Sequence, residues 1–190
     1  MTLYLKRFNQ ADAEAEYDFF QSMPELNGFE VPYKNYSFDE FITKAIDERE
    51  ESSNGINLKE GHVPDTYFFL WDDEQLVGLF KIRHRLNDFL RRGPGHIGYG
   101  ILPQFQGKGY ATLGLALALK KADKILPANE TEIYLSCSKN NPASLRVMQK
   151  NGGRIESESD HEYHVRISRR DIPHGDLSFT HTSKNTLNSI

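Results

Sequence analysis

The segment Gln106-Gly107-Lys108-Gly109-Tyr110-Ala111 combines residue types that suit anion binding. It lies between a stretch that reads as a strand and one that reads as a helix. At a helix N-terminus the first N–H groups lack intrahelical acceptors, and the helix dipole presents its positive end. Glycines let phosphate oxygens approach those N–H groups, and Lys108 adds a positive charge. The spacing is not a Walker loop, because GxxxxGK[ST] is absent. It is not GxGxxG either, because Thr112 stands at the third glycine position. The same glycines also suit a tight strand-to-helix turn with no ligand. Further along, Asn141-Pro142 supplies an N-cap and a first-turn proline, and Asn151-Gly152-Gly153 supplies a left-handed stop. Cys137 shares a strand face with Ile133 and Leu135, which favours a buried structural thiol over a nucleophile. The histidines show neither HxxxH nor HExxH spacing, so no metal is expected.

These groups need elements to position them. Leu3–Phe8 alternates as a first strand, and Ala11–Met23 reads as a helix stopped by Pro24. Pro24–Tyr36, rich in aromatics and proline, reads as a structured loop. Ser37 and Glu40 form a capping box ahead of an amphipathic helix over 38–50. Glu51–Asp65 is polar and reads as a mobile loop. Tyr67–Trp71 and Gln75–Arg85 make a hairpin turned at Asp72-Asp73-Glu74. His96–Leu102 reads as a central strand, followed by the glycine loop and a helix to about Leu126 whose stripe Leu115, Ala118, Leu119, Ala122 faces the core. Glu132–Cys137 follows as a strand, predicted parallel to His96–Leu102 with a right-handed crossover. Arg154–Ser159 and Glu162–Arg169 alternate as a closing hairpin. Residues 1–170 are expected to form one domain, and 171–190 a polar tail.

Composition narrows the function. The chain has 190 residues, 38% hydrophobic and 26% charged, with 23 Lys and Arg against 27 Asp and Glu. That balance supports a packed core and gives no global attraction to nucleic acid or anionic membrane. The basic run Lys81–Arg85 is split by strand alternation, with Lys81, Arg83 and Arg85 on one face and His84 on the other. One cysteine excludes an internal disulfide and suits a reducing compartment. The sequence shows no signal-like segment and no apolar run long enough to span a membrane, so a cytoplasmic location is expected.

Gln106, Gly109 and Ala111, preceded by Pro103, resemble the Q/R-x-x-G-x-G/A signature of the GNAT superfamily of acyl-CoA-dependent N-acetyltransferases. Asn141-Pro142-Ala143-Ser144, closed by Asn151-Gly152-Gly153, is similar to that family's N-x-x-S helix. Ile82 to Gly100 further resembles a bacterial subgroup of it. The order of elements agrees over residues 3 to about 169. The resemblance implies an α/β fold (α+β mixed sheet). Its central mixed sheet splays between the fourth and fifth strands around a βαβ acetyl-CoA-binding unit, with helices on the flanks. Carried over residue by residue, the backbone of Tyr99, Gly100 and Ile101 would bond the pantetheine amides. The N–H groups of Gly107, Lys108, Gly109, Tyr110, Ala111 and Thr112 would cradle the pyrophosphate. Asn141 and Ser144 would touch the coenzyme, although Asn141 also suits a plain helix cap. The family's tyrosine acid, seven residues after that asparagine, is replaced here by Met148, which cannot donate a proton.

Acetylating an amine requires a base, a placed amine and a donor for the developing oxyanion, for which the Ile101 N–H is a candidate. Three residues are candidate bases. His84 and His96 sit at neighbouring strand ends and titrate near neutrality. Glu30 lies in the aromatic loop, where Phe29 and Tyr33 would line an acceptor pocket. Both histidines also suit ordinary strand-end positions, and the loop also suits a satellite apolar cluster. The leading expectation is an enzyme transferring acetyl from acetyl-CoA to the primary amine of a small molecule or peptide. The alternative, favoured by Met148, is a non-catalytic coenzyme A-binding regulatory module. An edge strand in the C-terminal hairpin would suit a homodimer.

Overall fold

The computed structural model describes residues 2–25 and 29–175. The C-terminal tail beyond 175 and Gly28 of the aromatic loop lie outside the described residues. Among the described residues, seven strands form two antiparallel sheets, in the orders β1-β2-β3-β4 and β5-β7-β6. The first sheet comprises β1 (Leu3–Arg7), β2 (Asp65–Asp72), β3 (Gln75–Arg83) and β4 (Ile97–Ile101). The second comprises β5 (Glu132–Ser138), β6 (Arg154–Glu158) and β7 (Glu162–Ser168). A short helix, α4 (Asp88–Arg92), leads into β4, and helix α5 (Tyr110–Ile125) connects the two sheets and packs on one face of the first. Its stripe Leu115, Ala118, Leu119 and Ala122 is buried there with Phe80, Ile82, Ile97 and Ile133.

The other face carries a second, aromatic core. Helix α1 (Ala13–Ser22) buries Phe19 and Phe20 against Phe69 of β2. The structured loop after Pro24 contributes Tyr33, whose ring meets Phe20 and Phe41 edge-on at 5.2 and 5.8 Å. Tyr33 is thus a core residue and does not line an acceptor pocket.

The helix after Ser37 runs farther than its hydrophobic pattern. The capping box forms as expected ahead of α2 (Phe38–Glu40). A π segment, Phe41–Ala45, then leads into α3 (Ile46–Asn54), closed by Gly55. The polar residues that read as a mobile loop from Glu51 stay helical because they have buried polar partners. Ser52 donates to Asp65 Oδ1 at 3.1 Å and Arg49 pairs with the same oxygen at 3.0 Å.

The predicted parallel ladder between β4 and β5 does not form. The two strands meet at one end, where Gly95 and Leu135 make an isolated bridge, and they diverge beyond it. Gly95 has φ +71°, and a Cβ there would collide with the Tyr134 carbonyl, so only glycine permits this approach. The divergence is the splay that the resemblance implies.

Glu16 of α1 is fully buried and receives the Asn9 N–H at 3.2 Å. Burial pushes its carboxyl up to about 8, against the Asn9 bond that lowers it. The folded state therefore holds a proton that the unfolded chain releases near the ordinary value of 4.5. Stability should fall as pH rises from about 4.5 to 8. Glu16→Gln should flatten that slope in denaturation midpoints measured across the range. An unchanged slope would mean that Glu16 ionises freely in the fold.

Candidate active site

The gap between β4 and β5 opens into a cleft of about 600 Å³. Its walls are β4, the glycine loop, α5, β5 and helix α6 (Pro142–Lys150), with Phe29 and Glu30 at the far end. The ladder fixes which backbone groups face it. Arg83 N–H bonds the His96 carbonyl at 2.8 Å and Leu102 N–H bonds the Val77 carbonyl at 3.0 Å, so both ends of β4 turn toward β3. By antiparallel alternation, Gly98 and Gly100 also turn toward β3, while Ile97, Tyr99 and Ile101 turn toward the gap. The expectation that Gly100 bonds a ligand in the gap is thereby corrected. Its role is spatial, since a Cβ there would run into Met23 and Phe29. Gln106 of the glycine signature donates to the Ile101 carbonyl at 3.0 Å, which leaves the Ile101 N–H open to the cleft.

The glycine loop leaves its donors free. Gly109 is the N-cap of α5, with φ +89° and open space where a Cβ would stand. Among the described residues, the N–H groups of Gly107, Lys108, Gly109, Tyr110 and Ala111 have no protein acceptor. Thr112 departs from the expectation, because its N–H already contacts the Gly109 carbonyl at 3.1 Å. The Lys108 ammonium lies over the Phe105 ring at 5.5 Å, outside the cleft lining. Tyr110 holds Asp72 Oδ2 through its hydroxyl at 2.6 Å. Five unpaired N–H groups at a helix N-terminus fit a diphosphate. Asn141 caps α6, its Oδ1 accepting the Ser144 N–H at 3.1 Å, and both residues line the cleft.

Across the gap, Tyr99 stacks on Phe80 at 5.5 Å and its hydroxyl meets Ser144 Oγ at 2.8 Å. Burial pushes this phenol up to about 12, partly offset by the Ser144 bond. Met148 lies one helical turn beyond Ser144, about 6 Å along the axis, and is buried against the same cleft. Cys137 also lines it from β5, and burial raises its thiol above the ordinary value.

Neither histidine reaches the cleft. His84 lies just past the end of β3, with its Nε2 2.8 Å from the Thr66 hydroxyl. His96 is fully buried at the joint of the sheets. Its N–H bonds the Tyr134 carbonyl at 2.6 Å, and its Nδ1 accepts the Tyr134 N–H at 3.0 Å. Burial pushes it down to about 4, against the Glu130 carboxylate and together with Arg91, Arg166 and Arg83. It is a clasp, because these two bonds tie the start of β4 to β5, an approach that strand alternation does not announce. His96→Ala should cost about 1–3 kcal/mol by leaving the Tyr134 N–H unpaired. The wild-type contribution should be complete above about 6.5 and fade as pH falls toward 4. Urea midpoints at several pH values read this directly, and an Ala variant as stable as wild type would refute the clasp. Glu30 alone of the three candidate bases lines the cleft, with its carboxylate 3.8 Å from Lys81 Nζ.

Among the described residues, no group of three His, Cys, Asp or Glu side chains could hold a metal ion, and no helix is long and apolar enough to cross a membrane.

The sequence model of the acetyltransferase (GNAT) domain matches residues 2–154. A search of curated proteins gave no significant match. Among solved structures, mutant forms of the spermidine/spermine N-acetyltransferase SpeG from Vibrio cholerae are 20% identical with a TM-score of 0.56, over 90% of this chain and 96% of that one. The ribosomal L7/L12 alpha-N-protein acetyltransferase RimL, in complex with coenzyme A, is 13% identical with a TM-score of 0.65, over 88% and 94%. The ribosomal-protein-S5-alanine acetyltransferase from Vibrio fischeri is 17% identical with a TM-score of 0.64, over 90% and 95%. These likenesses show a shared fold. With the family match spanning most of its length, the chain belongs to the GNAT family of acyl-CoA-dependent N-acetyltransferases.

Proposed function

We propose that the protein transfers an acetyl group from acetyl-CoA to the primary amine of a small molecule or peptide, by direct attack of the amine on the thioester. The observation that carries this reading is the row of unpaired N–H groups, Gly107 to Ala111, at the mouth of the gap between β4 and β5. Those donors would hold the pyrophosphate. The gap-facing backbone of Tyr99 and Ile101 would hold the pantetheine, with Asn141 and Ser144 on the facing helix. The Ile101 N–H is the donor available for the oxygen that turns negative as the amine attacks. Glu30 would take the ammonium proton, as the candidate base that reaches the cleft.

Met148 leaves the departing thiolate without the family's tyrosine. Tyr99 offers a phenol from the opposite wall of the gap, protonated at neutral pH and brought within one turn of Met148 by its bond to Ser144. We assign it the role of proton donor. A coenzyme A thiol of pKa about 8.5 asks little of that donor.

Thiol release from acetyl-CoA, measured against a panel of amines, tests the reading. Release that depends on an amine supports transfer. Tight acetyl-CoA binding with no release for any amine would favour the second reading, a non-catalytic coenzyme A-binding regulatory module, which the methionine at 148 favours.

A further inference from the structure

Lys81 and Arg83 are two residues apart on β3 and so share a face, opposite Tyr67 and Asp65 of β2. Both line the acceptor half of the cleft together with Glu30. The nearest buried carboxylate, Asp65, is 4% exposed and already engaged on both oxygens. Its Oδ1 receives Arg49 at 3.0 Å and Ser52 at 3.1 Å, and its Oδ2 lies 3.3 Å from Lys81 Nζ. Glu30 faces Lys81 at 3.8 Å, but its side chain is 78% exposed and screens weakly. Arg83 donates to the Gly95 carbonyl at 3.0 Å, and among the described residues no carboxylate lies within ion-pair distance of it. Burial lowers both cations below their ordinary values, and Arg83 lowers Lys81 further against the pull of Asp65. Three cations thus face two carboxylates, one of them wedged between Arg49 and Lys81 and the other in water.

From this charge balance we infer that the acceptor amine carries an anionic group, a carboxylate or a phosphate, which Arg83 and Lys81 bind. The inference rests on the acetyl-transfer reading and names the substrate class for it. A guanidinium stays charged at neutral pH and offers several N–H donors in a fork that matches two oxygens of an anion. The site is dipolar. Glu30 meets the ammonium end of the acceptor, and the Arg83–Lys81 pair meets its anion. The same positive charge favours the neutral, nucleophilic form of the bound amine. A polyamine, with several positive charges and no anion, is repelled by this pair.

Initial rates of acetylation on matched probes test the inference: phosphoethanolamine against ethanolamine, β-alanine against its amide, and spermidine. The anionic member of at least one pair should exceed its neutral partner by at least about tenfold in kcat/KM, and spermidine should be poorer than either anion. A larger preference in the first pair identifies phosphate, and in the second carboxylate. Arg83→Gln should bring the preferred pair to within about threefold, chiefly through KM, while Arg83→Lys keeps part of the preference. The inference is overturned if the neutral members or spermidine react as well as the anions, if neither anion is accepted, or if Arg83→Gln leaves the ratio unchanged. Calorimetric titration of acetyl-CoA is run alongside. Failure there removes the transfer reading itself, whereas normal binding with no anion preference overturns this inference alone.

Discussion

Gly109→Asp is expected to weaken acetyl-CoA binding by at least about 2 kcal/mol, a factor of roughly 30 in Kd. Gly109, the N-cap of α5, is the middle of the five unpaired N–H groups from Gly107 to Ala111, and a carboxylate there would compete for them and repel the pyrophosphate. Two effects contribute, and they are separable. Gly109 has φ +89°, so any side chain carries backbone strain of about 1–2 kcal/mol. No atom lies within 4 Å of the added Cβ, so no steric clash accompanies the strain. Gly109→Ala carries the strain without the charge, and the difference between the two variants in calorimetric affinity isolates the electrostatic part. An Asp variant that stays folded and binds acetyl-CoA like wild type would remove the glycine loop from the site.

Tyr99→Phe is expected to lower kcat by about a hundredfold while leaving the affinity for acetyl-CoA unchanged, the mark of a lost proton donor. Phenylalanine keeps the stacking on Phe80 and loses the hydroxyl and its bond to Ser144. Stability should drop by about 1 kcal/mol, the usual size of one hydrogen bond. Ser144→Ala removes the same bond but spares the phenol, so it should cost stability and much less turnover. Because burial holds the Tyr99 phenol up to about 12, neither limb of a rate profile between pH 6 and 9 should belong to it. Full kcat in the Phe variant would return the proton to water and strengthen the non-catalytic reading of Met148.

Local signals carried much of this into the sequence. The Ser37–Glu40 capping box, the Asn141-Pro142 helix start and the Gly107–Ala111 loop depend on neighbours within a few residues, and each forms where its pattern lies. The strands of both hairpins pair where the sequence places them, although β2 is buried on both faces and β6 is exposed along its length, so that among these four only the ends of β3 and β7 show an alternating burial pattern. What escaped depends on contacts distant in the chain. Ser52 remains helical because Asp65, 13 residues on, takes its hydroxyl. His96 is a clasp because Tyr134, 38 residues on, closes over it, and no periodicity announces that approach. Tyr99 reaches Ser144 across 45 residues of chain, so its hydroxyl was invisible while its backbone position was not. The basic pair on β3 was legible as a face. The excess of cations over carboxylates around it was not, because Arg49 and Asp65 come from other elements.

The most direct test of the central claim is a structure of the protein with acetyl-CoA bound. The account predicts pantetheine lying between β4 and β5, its amides on the gap-facing backbone of Tyr99 and Ile101, and its pyrophosphate on the N–H groups of Gly107 to Ala111. Coenzyme bound elsewhere, or a cleft that stays closed to it at saturating concentration, would contradict the account.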